Sequence, residues 1–289
     1  MLALIVNPHA GGGRARRLLP AVREALHGHG LEHRVELTQS IEHARQLTRA
    51  AVRDGADPVA FGGDGLIGAV AGALRGSGAV LGILPGGRGN DLVRVLGIPP
   101  EPVAACEILV RGQPRDLDLG AVGEATFIGI ASCGFDSEAN RIANQTRVVR
   151  GSLVYAYGAL RALLRWRPAE FEVELDDDAP RRVVGYSIAA ANSKAYGGGM
   201  MLAPAASLSD GLLDVVIIGQ TSKLRFLRLL PTVFRGEHVH EPEVETLRAA
   251  QVRISASRPF TLYADGDPVA PLPVTIRALG GVVRIMVPS

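Results

Sequence analysis

The sequence has very little lysine, few cysteines and no long apolar run. Lys194 and Lys223 are its only lysines among 289 residues, so phosphate contacts in the first half of the chain must come from arginine or backbone amides. The two cysteines, Cys106 and Cys133, exclude a disulfide framework and a cysteine-rich zinc site. No apolar run reaches about 18 residues, which excludes a membrane-spanning helix.

The charge and composition are those of an ordinary globular protein. A formal net charge of +2 argues against a nucleic-acid partner, and 47% hydrophobic residues are enough to bury a core. At about 150 residues per domain, the length suggests two domains. The first residues form an apolar strand pattern and lack the features of a signal peptide. We therefore expect a cytoplasmic protein, with binding to the inner membrane surface left open.

The first 120 residues alternate short apolar runs with helical patterns. Strands are predicted at 2–6, 33–37, 58–61 and 80–84, and helices at 14–27, 41–52 and 66–74. Such alternation predicts a doubly wound parallel sheet with helices on both faces. We assign residues 1–120 to this N-terminal α/β domain.

Residues 121–289 consist mostly of strand patterns separated by turn residues. Strands are predicted at 125–132, 170–175, 182–190, 212–218, 251–256, 260–264, 274–278 and 282–287. Two helices are predicted at 147–166 and 222–235. This pattern indicates a C-terminal β-sandwich domain, and a return of the last strand to the first domain is left open.

Three glycine-rich segments each follow a predicted strand: NPHAGGGR (7–14), GGDG (62–65) and PGGRGND (85–91). Parallel strands end at one edge of a sheet, where ligands bind, and glycine lets a ligand approach the backbone closely. Neither a lysine-containing phosphate loop nor the dinucleotide fingerprint is present. An acidic residue beside phosphate-binding amides suits Mg²⁺, although a helix-capping role for Asp64 is compatible with that.

At these segments the sequence resembles the diacylglycerol kinase catalytic-domain family, which includes bacterial lipid kinases and sphingosine kinases. The matching segments run in family order over essentially the whole chain: NPHAGGG (7–13), GGDGL (62–66), LPGGRGNDLVRVLGIP (84–99), YGGGMMLAP (196–204), SDGLLDVVII (209–218) and ADGDPV (264–269). The resemblance implies an α/β nucleotide-binding domain and a β-rich domain with the active site between them. It also implies phosphoryl transfer from Mg²⁺-ATP to a hydroxyl of diacylglycerol or a related lipid.

The resemblance further implies roles for individual residues. Nucleotide contacts fall on Asn7, Pro8, Gly11, Gly12, Thr38, Gly62, Gly63, Asp64, Gly65, Gly68, Arg88, Asn90 and Arg94. Asp64 and Asp91 are implied to organise the catalytic Mg²⁺, and Asp265 to act as the general base. A structural Mg²⁺ is implied at Asp210, with the carbonyls of Ser207 and Leu212.

The chain departs from the family pattern at Leu66, Gly68, Ala69, Arg88, Met201 and Asp267. The Asn-Glu pair that commonly follows GGDGT in the family is missing. Two other functions therefore stay open: a kinase of a soluble hydroxyl metabolite, and a catalytically weak nucleotide- or lipid-binding protein. Asp265 and Asp210 also have a simpler interpretation as turn residues, because Asp-Gly between strands is typical of turns.

A lipid kinase has to reach its substrate at a membrane surface. In a single helix over 147–166, the residues Arg147, Arg150, Arg161 and Arg165 would fall within about 60° of arc and could contact anionic headgroups. A solvated helix face is the alternative. The predicted helix at 222–235 carries further basic residues. A homodimer and the identity of the acceptor lipid are left open.

Overall fold

In the computed structural model, residues 1–146 and 153–289 are described. The first part of the chain forms β1 (Leu2–Val6), α1 (Ala10–Gly28), β2 (His33–Leu37), α2 (Ile41–Arg53), β3 (Asp57–Gly62), α3 (Asp64–Ala73), β4 (Val80–Pro85), α4 (Asp91–Val95), α5 (Pro102–Ala105) and α6 (Ile108–Arg111). The second part forms β5 (Gln113–Val122), β6 (Ala125–Phe127), β7 (Ile130–Gly134), α7 (Phe135–Gln145), α8 (Leu153–Arg165), β8 (Ala169–Leu175), β9 (Arg181–Ala191), β10 (Leu213–Gly219), α9 (Lys223–Val233), β11 (Val244–Ala249), β12 (Gln251–Ala256), β13 (Thr261–Ala264), β14 (Asp267–Pro271) and β15 (Val274–Val287).

The first half is a parallel sheet in the order β2-β1-β3-β4, with the helices packed against it. Strands β1, β3 and β4 are apolar runs that are almost fully buried, as expected of a sheet covered on both faces, whereas the edge strand β2 is only partly buried. Ser40 caps α2 as the sequence predicts: its hydroxyl accepts a 3.1 Å hydrogen bond from the amide of His43. The predicted α/β class of this half is confirmed.

The second half is built from antiparallel strands around their own apolar core. Strands β13, β7, β9, β8 and β12 lie side by side, and β10 pairs with β9 and β11. Buried side chains of these strands, including Phe171, Val215 and Ile254, form one apolar cluster. The predicted β-rich second half is confirmed, within a mixed sheet that continues into the first half.

Strand β15 connects the two halves. It pairs antiparallel with β12 and β5, and near its end Arg284 and Ile285 pair parallel with the first residues of β4. Its register shifts between Leu279 and Val283. Buried Asp118 fixes this irregularity, because one carboxylate oxygen accepts the amide of Gly281 at 2.7 Å. The other oxygen accepts the amide of Gly211, also at 2.7 Å.

Several predicted elements are wrong in extent. The strand predicted at 125–132 is two strands, β6 and β7, and those predicted at 274–278 and 282–287 are the single strand β15. Strands β5, β11 and β14 and helices α4, α5 and α7 were not predicted. Strand β14 contains two prolines, which the sheet tolerates because β14 lies at an edge.

The helix predicted at 147–166 is described only from Leu153 onward, as α8. The predicted stripe members Arg147 and Arg150 lie outside the described residues. Within the part of the chain that is described, no helix has both the length and the hydropathy to cross a bilayer.

Candidate active site

The three glycine segments contact one another at the carboxyl edge of the parallel sheet. A Cβ built on Gly11 would lie 2.5 Å from the carbonyl oxygen of Gly86. One built on Gly87 would lie 2.5 Å from the Cα atom of Gly63. Because backbone meets backbone here, a side chain at these positions would push the loops apart. The sequence placed these segments at one edge, and the structure brings them into direct contact.

The first glycine segment enters α1 through a left-handed turn. Gly11, Gly12 and Gly13 have φ angles of 60°, 69° and 87°, a region that favours glycine. The guanidinium of exposed Arg88 approaches this turn, since a Cβ on Gly12 would lie 3.4 Å from Arg88 Nη2. A flexible cation therefore stands beside a backbone wall that lacks side chains.

The ends of β1 and β2 border the same place. The side chain of Asn7 accepts a 3.0 Å hydrogen bond from the amide of His9 and so shapes the turn after β1, which includes Pro8. Thr38 is buried, and its amide donates to the carbonyl of Val6 at 2.8 Å. Both predicted nucleotide contacts thus flank the glycine loops.

The third segment closes on itself through Asn90. Asn90 adopts a left-handed conformation with φ 51°, and its side chain accepts the amide of Gly87 at 3.1 Å. The same side chain donates to the carbonyl of Gly87 at 3.2 Å. These two hydrogen bonds between the Asn90 side chain and the Gly87 backbone fix the loop immediately before Asp91.

Asp64 and Asp91 face each other across Gly89. A Cβ on Gly89 would lie 3.0 Å from Asp64 Oδ2 and 3.6 Å from Asp91 Oδ2. Asp64 also accepts the amide of Leu92 at 3.3 Å, which joins the starts of α3 and α4. Burial, and then the charge of Asp91, raise the pKa of Asp64. A divalent cation would relieve this repulsion, so the pair fits Mg²⁺ bound with water and phosphate oxygens.

Asp91 also connects the two halves of the molecule. Its Oδ2 accepts the amide of Gly198 at 2.7 Å, and its Oδ1 accepts Nη1 of Arg94 at 3.2 Å. Gly199 lies against the same guanidinium, since a Cβ there would be 3.3 Å from Arg94 Nη1. Sequence reasoning gave no role to this second-half glycine loop. Its run of three consecutive glycines, recognised only as part of the family match, was the available signal. All three glycines have positive φ.

Asp265 occupies a tight hairpin turn between β13 and β14. Asp265 and Gly266 have φ angles of 49° and 90°, as in the turn favoured by Asp-Gly. The Asp265 carboxylate accepts the amides of Ile128, Gly129 and Ile130 at 3.0, 3.0 and 3.1 Å. Burial raises its pKa to about 6, although these amides act in the opposite direction. The turn interpretation is therefore right, and the same residue carries a perturbed carboxyl group.

The Asp265 carboxylate faces the second turn of α3. A Cβ on Gly68 would lie 3.3 Å from Asp265 Oδ2, and the charge of Asp64 contributes to the raised pKa of Asp265. The three aspartates thus gather at the junction of the halves. Gly68 itself faces Asp265 and not the glycine loops, so its predicted nucleotide contact stays a prediction. Gly65 is exposed, with open space beside it.

The predicted structural metal site is arranged as an ion pair. Asp210 pairs with Arg248, and its Oδ1 accepts the amide of Leu212 at 3.1 Å. The Ser207 hydroxyl accepts the amide of Ser209 at 3.3 Å. A guanidinium thus pairs with this carboxylate, as Arg94 does with Asp91, and the structural Mg²⁺ at Asp210 with the carbonyls of Ser207 and Leu212 stays a prediction. Among the described residues, no group of three His, Cys, Asp or Glu side chains is suited to a metal ion.

A third carboxyl group with a raised pKa, Asp136, was missed by sequence reasoning. It lies in the first turn of α7, and the hydroxyl of Tyr196 donates to it at 3.4 Å. Burial raises the pKa of Asp136 to about 6. Because Tyr196 precedes the glycines that contact Asp91, this pair supports the second-half wall of the site.

Comparison with known proteins identifies the family to which the chain belongs. The sequence-family model of the diacylglycerol kinase catalytic domain matches residues 1–122. The sequence-family model of the YegS C-terminal NAD kinase beta sandwich-like domain matches residues 129–287. The chain belongs to the diacylglycerol kinase catalytic-domain family. The matches leave only a few residues between them, where β5 gives way to β6.

Relatives in this family are similar over nearly their whole length. A diacylglycerol kinase of Mycobacterium tuberculosis is 37% identical over 98% of this chain and 94% of its own. A diacylglycerol kinase of Bacillus subtilis is 29% identical over 99% and 96%. A Chromohalobacter salexigens protein named "Probable lipid kinase YegS-like" is 32% identical over 86% and 83%. The diacylglycerol kinase family to which the chain belongs is thus a family of lipid kinases.

Solved structures show the same fold. A diacylglycerol kinase from Bacillus anthracis has a TM-score of 0.76 at 18% identity, covering 99% of this chain and 96% of its own. An NAD kinase from Archaeoglobus fulgidus, solved with ATP, has a TM-score of 0.53 at 14% identity, covering 99% and 93%. These likenesses confirm the two-domain α/β and β-sandwich fold for this member of the diacylglycerol kinase family.

Proposed function

We propose that the protein is an ATP-dependent lipid kinase, which transfers the γ-phosphoryl group to a hydroxyl of diacylglycerol or a related lipid. The observation that carries the proposal is the gathering of Asp64, Asp91 and Asp265 beside the glycine loops. Phosphoryl transfer depends mainly on positioning and charge neutralisation, and this junction offers backbone amides, carboxylates and arginines together.

The glycine loops and the start of α3 would bind the triphosphate. Loop amides and a helix N-terminus favour an anion, and glycine leaves room for it against the backbone. Arg88 and Arg94 add positive charge on either side of Asn90. Because this half contains no lysine, backbone amides and arginine would provide the hydrogen-bond donors and positive charge that a lysine provides in other phosphate loops.

Asp64 and Asp91 would hold Mg²⁺, which neutralises phosphate charge when it is bound. Both residues begin helices directly after loops that contact each other. The backbone contacts between the loops therefore fix where the two carboxylates lie. Arg94 and Gly198 fix the orientation of Asp91. The chain thereby presents two oriented carboxylates toward the space beside Gly89.

Asp265 would accept the proton of the attacking hydroxyl. Two of its three amide donors bind Oδ1, which leaves acceptor capacity on Oδ2, the oxygen that faces Gly68. A pKa of about 6 leaves the carboxylate ionised at neutral pH and basic enough to take a proton. Asp267 is the alternative acceptor, because its exposed side chain makes no hydrogen bond or ion pair with the described residues.

The test measures transfer from labelled Mg²⁺-ATP to diacylglycerol, related hydroxyl lipids and soluble polyols. We expect lipid phosphorylation that Asp265→Asn reduces by about 10²- to 10⁴-fold, while Asp267→Asn changes it by less than about tenfold. The reverse order would move the base to Asp267. Phosphorylation of polyols alone would overturn the lipid assignment.

One observation favours a second function, nucleotide or lipid binding without efficient turnover. Gly68 and Ala69 stand where relatives of the family commonly carry Asn and Glu, so the second turn of α3 offers Asp265 no polar side chain. Nucleotide binding at micromolar concentration with no transfer to any acceptor would support this second function over the first.

A further inference from the structure

Helices α8 and α9 form one outer layer over an aromatic cluster of the second half. Ala162 and Leu163 of α8 and Phe226 of α9 belong to that cluster, in which Phe226 stacks on Tyr186 with ring centroids 4.1 Å apart. The two helices also touch directly, since Nζ of Lys223 donates to the carbonyl of Leu164 at 2.8 Å. Their outward faces therefore lie on the same side of the molecule.

Four leucines on this outward side are exposed to water. Leu160 and Leu164 of α8 are 53% and 71% exposed, and Leu224 and Leu227 of α9 are 60% and 40% exposed. They recur at intervals of three and four residues, so each helix presents them as a stripe opposite its buried residues. Two adjacent apolar stripes on one surface indicate a binding surface.

Basic residues accompany the leucines, and acidic residues are missing. Helices α8 and α9 contain no Asp or Glu. Arg161, Arg165, Lys223 and Arg228 are exposed, and none of them forms an ion pair with a described residue. Arg225, one turn before Arg228, differs because it pairs with Glu241 and Glu243. The surface is therefore apolar and positively charged at once.

We propose that this surface, the leucine–arginine face, docks on an anionic lipid bilayer. The face consists of Leu160, Leu164, Leu224, Leu227, Arg165 and Arg228, with Arg161 and Lys223 beside it. Leucines at the headgroup boundary would bury apolar area, while the basic groups contact lipid phosphates. Arg161 and Arg165 are the described half of the arginine stripe predicted from sequence, and they lie on a helix that packs beside α9.

One strand connects the proposed catalytic group with the layer that carries this face. Strand β7 runs from Ile130, whose amide binds Asp265, to Gly134, and the next residue belongs to the aromatic cluster under α8 and α9. Five strand residues span about 17 Å, and the helices lie beyond the cluster. The face and the proposed base thus belong to the same half of the molecule, a relation to the chemistry that rests on the proposed function.

The first experiment measures cosedimentation with vesicles of phosphatidylcholine, with and without phosphatidylglycerol. We expect binding to the anionic vesicles only, weakened about tenfold between low and high salt. The double variant Arg165→Gln/Arg228→Gln should bind about 30-fold more weakly, at about 1 kcal/mol per basic residue. The matched control Arg23→Gln/Arg53→Gln removes two exposed arginines of α1 and α2 and should bind like wild type.

Three outcomes would overturn the proposal. They are equal binding to both vesicle types, equal loss in the control variant, and a wild-type dimer in sedimentation velocity that Leu164→Gln/Leu224→Gln converts to monomer. The last outcome would make the face an interface between two copies of the chain. Vesicle binding needs no phosphoryl transfer, so it can succeed where the kinase assay fails. In turn, unchanged activity of the arginine variant on a short-chain soluble diacylglycerol would separate docking from chemistry.

Discussion

The backbone amide of Gly198 donates a 2.7 Å hydrogen bond to the carboxylate of Asp91, across the junction between the two halves. Arg94 binds the other oxygen of the same carboxylate. One side chain therefore both faces Asp64 and positions a loop of the second half. Its charge and its acceptor role can be separated by substitution.

We expect Asp91→Asn and Asp91→Ala to differ in stability more than in activity. Both lose the negative charge beside Asp64, so both should lower kcat by at least about tenfold. Asparagine can still accept the Gly198 amide, whereas alanine leaves that donor unpaired, which costs about 1–3 kcal/mol. Chemical unfolding and steady-state kinetics measure the two effects. Equal stability of the two variants would show that the Gly198 bond contributes nothing.

The pH dependence of activity should report the ionisation of Asp265. Because burial raises its pKa to about 6 and a base must be ionised, kcat/KM should fall as the pH drops through about 6. The residual activity of Asp265→Asn should lack this acidic limb. A wild-type profile that stays flat down to pH 5 would contradict the assignment.

Gly68→Asn should move that acidic limb to lower pH. The new side chain would stand beside Asp265 Oδ2, where an amide donor favours the charged carboxylate and lowers its pKa. Gly68→Ala is the matched control, because it adds the Cβ at 3.3 Å from the carboxylate but no donor. An identical profile for the two variants would rule out the predicted hydrogen bond.

Gly65 and Gly87 offer a contrast between binding and folding. A Cβ on Gly65 meets open space in the first turn of α3, so Gly65→Ala should leave stability unchanged or raise it by up to about 1 kcal/mol. If the triphosphate lies against this turn, the variant should still raise KM for ATP. Gly87→Ala should instead destabilise the protein, since its Cβ would lie 2.5 Å from Gly63 Cα. Thermal unfolding and ATP titration test both statements.

Asp136→Asn should change how stability depends on pH. Its pKa rises from 3.8 to about 6 on folding, so the wild type loses stability as the pH rises between these values and stays level above them. Asparagine keeps an acceptor for Tyr196 and removes this pH-dependent loss of folding stability, which is at most about 3 kcal/mol. The variant should thus be the more stable protein at pH 7.5 but not at pH 3.5. A constant difference across the range would contradict this.

The first-half site was largely predictable from sequence. Each glycine segment follows a strand of one parallel sheet, and such strands end at a common edge, so the loops and the two aspartates they carry had to meet. The location of Asn90 and Asp91 at this edge follows from the same argument, because they end the short loop that leads from β4 into α4.

The second-half contribution was predictable only in part. Asp265 could be named from its motif, but its three partners are backbone amides at Ile128–Ile130, which any side chains could accompany. Gly198 likewise contributes only an amide to Asp91. Strand β5 was missed because its first four residues are exposed and include no apolar alternation, and Asp116 there pairs with Arg284 of β15.

Strand β15 has a consequence for the order in which the molecule can be assembled on the ribosome. The edge of β4 acquires its neighbour from Arg284 and Ile285, which are synthesised about 200 residues after β4 itself. The first half must therefore wait with an open sheet edge until β15 has left the ribosome. Deletion of Arg284 and Ile285 would leave that edge available to other chains and should promote aggregation.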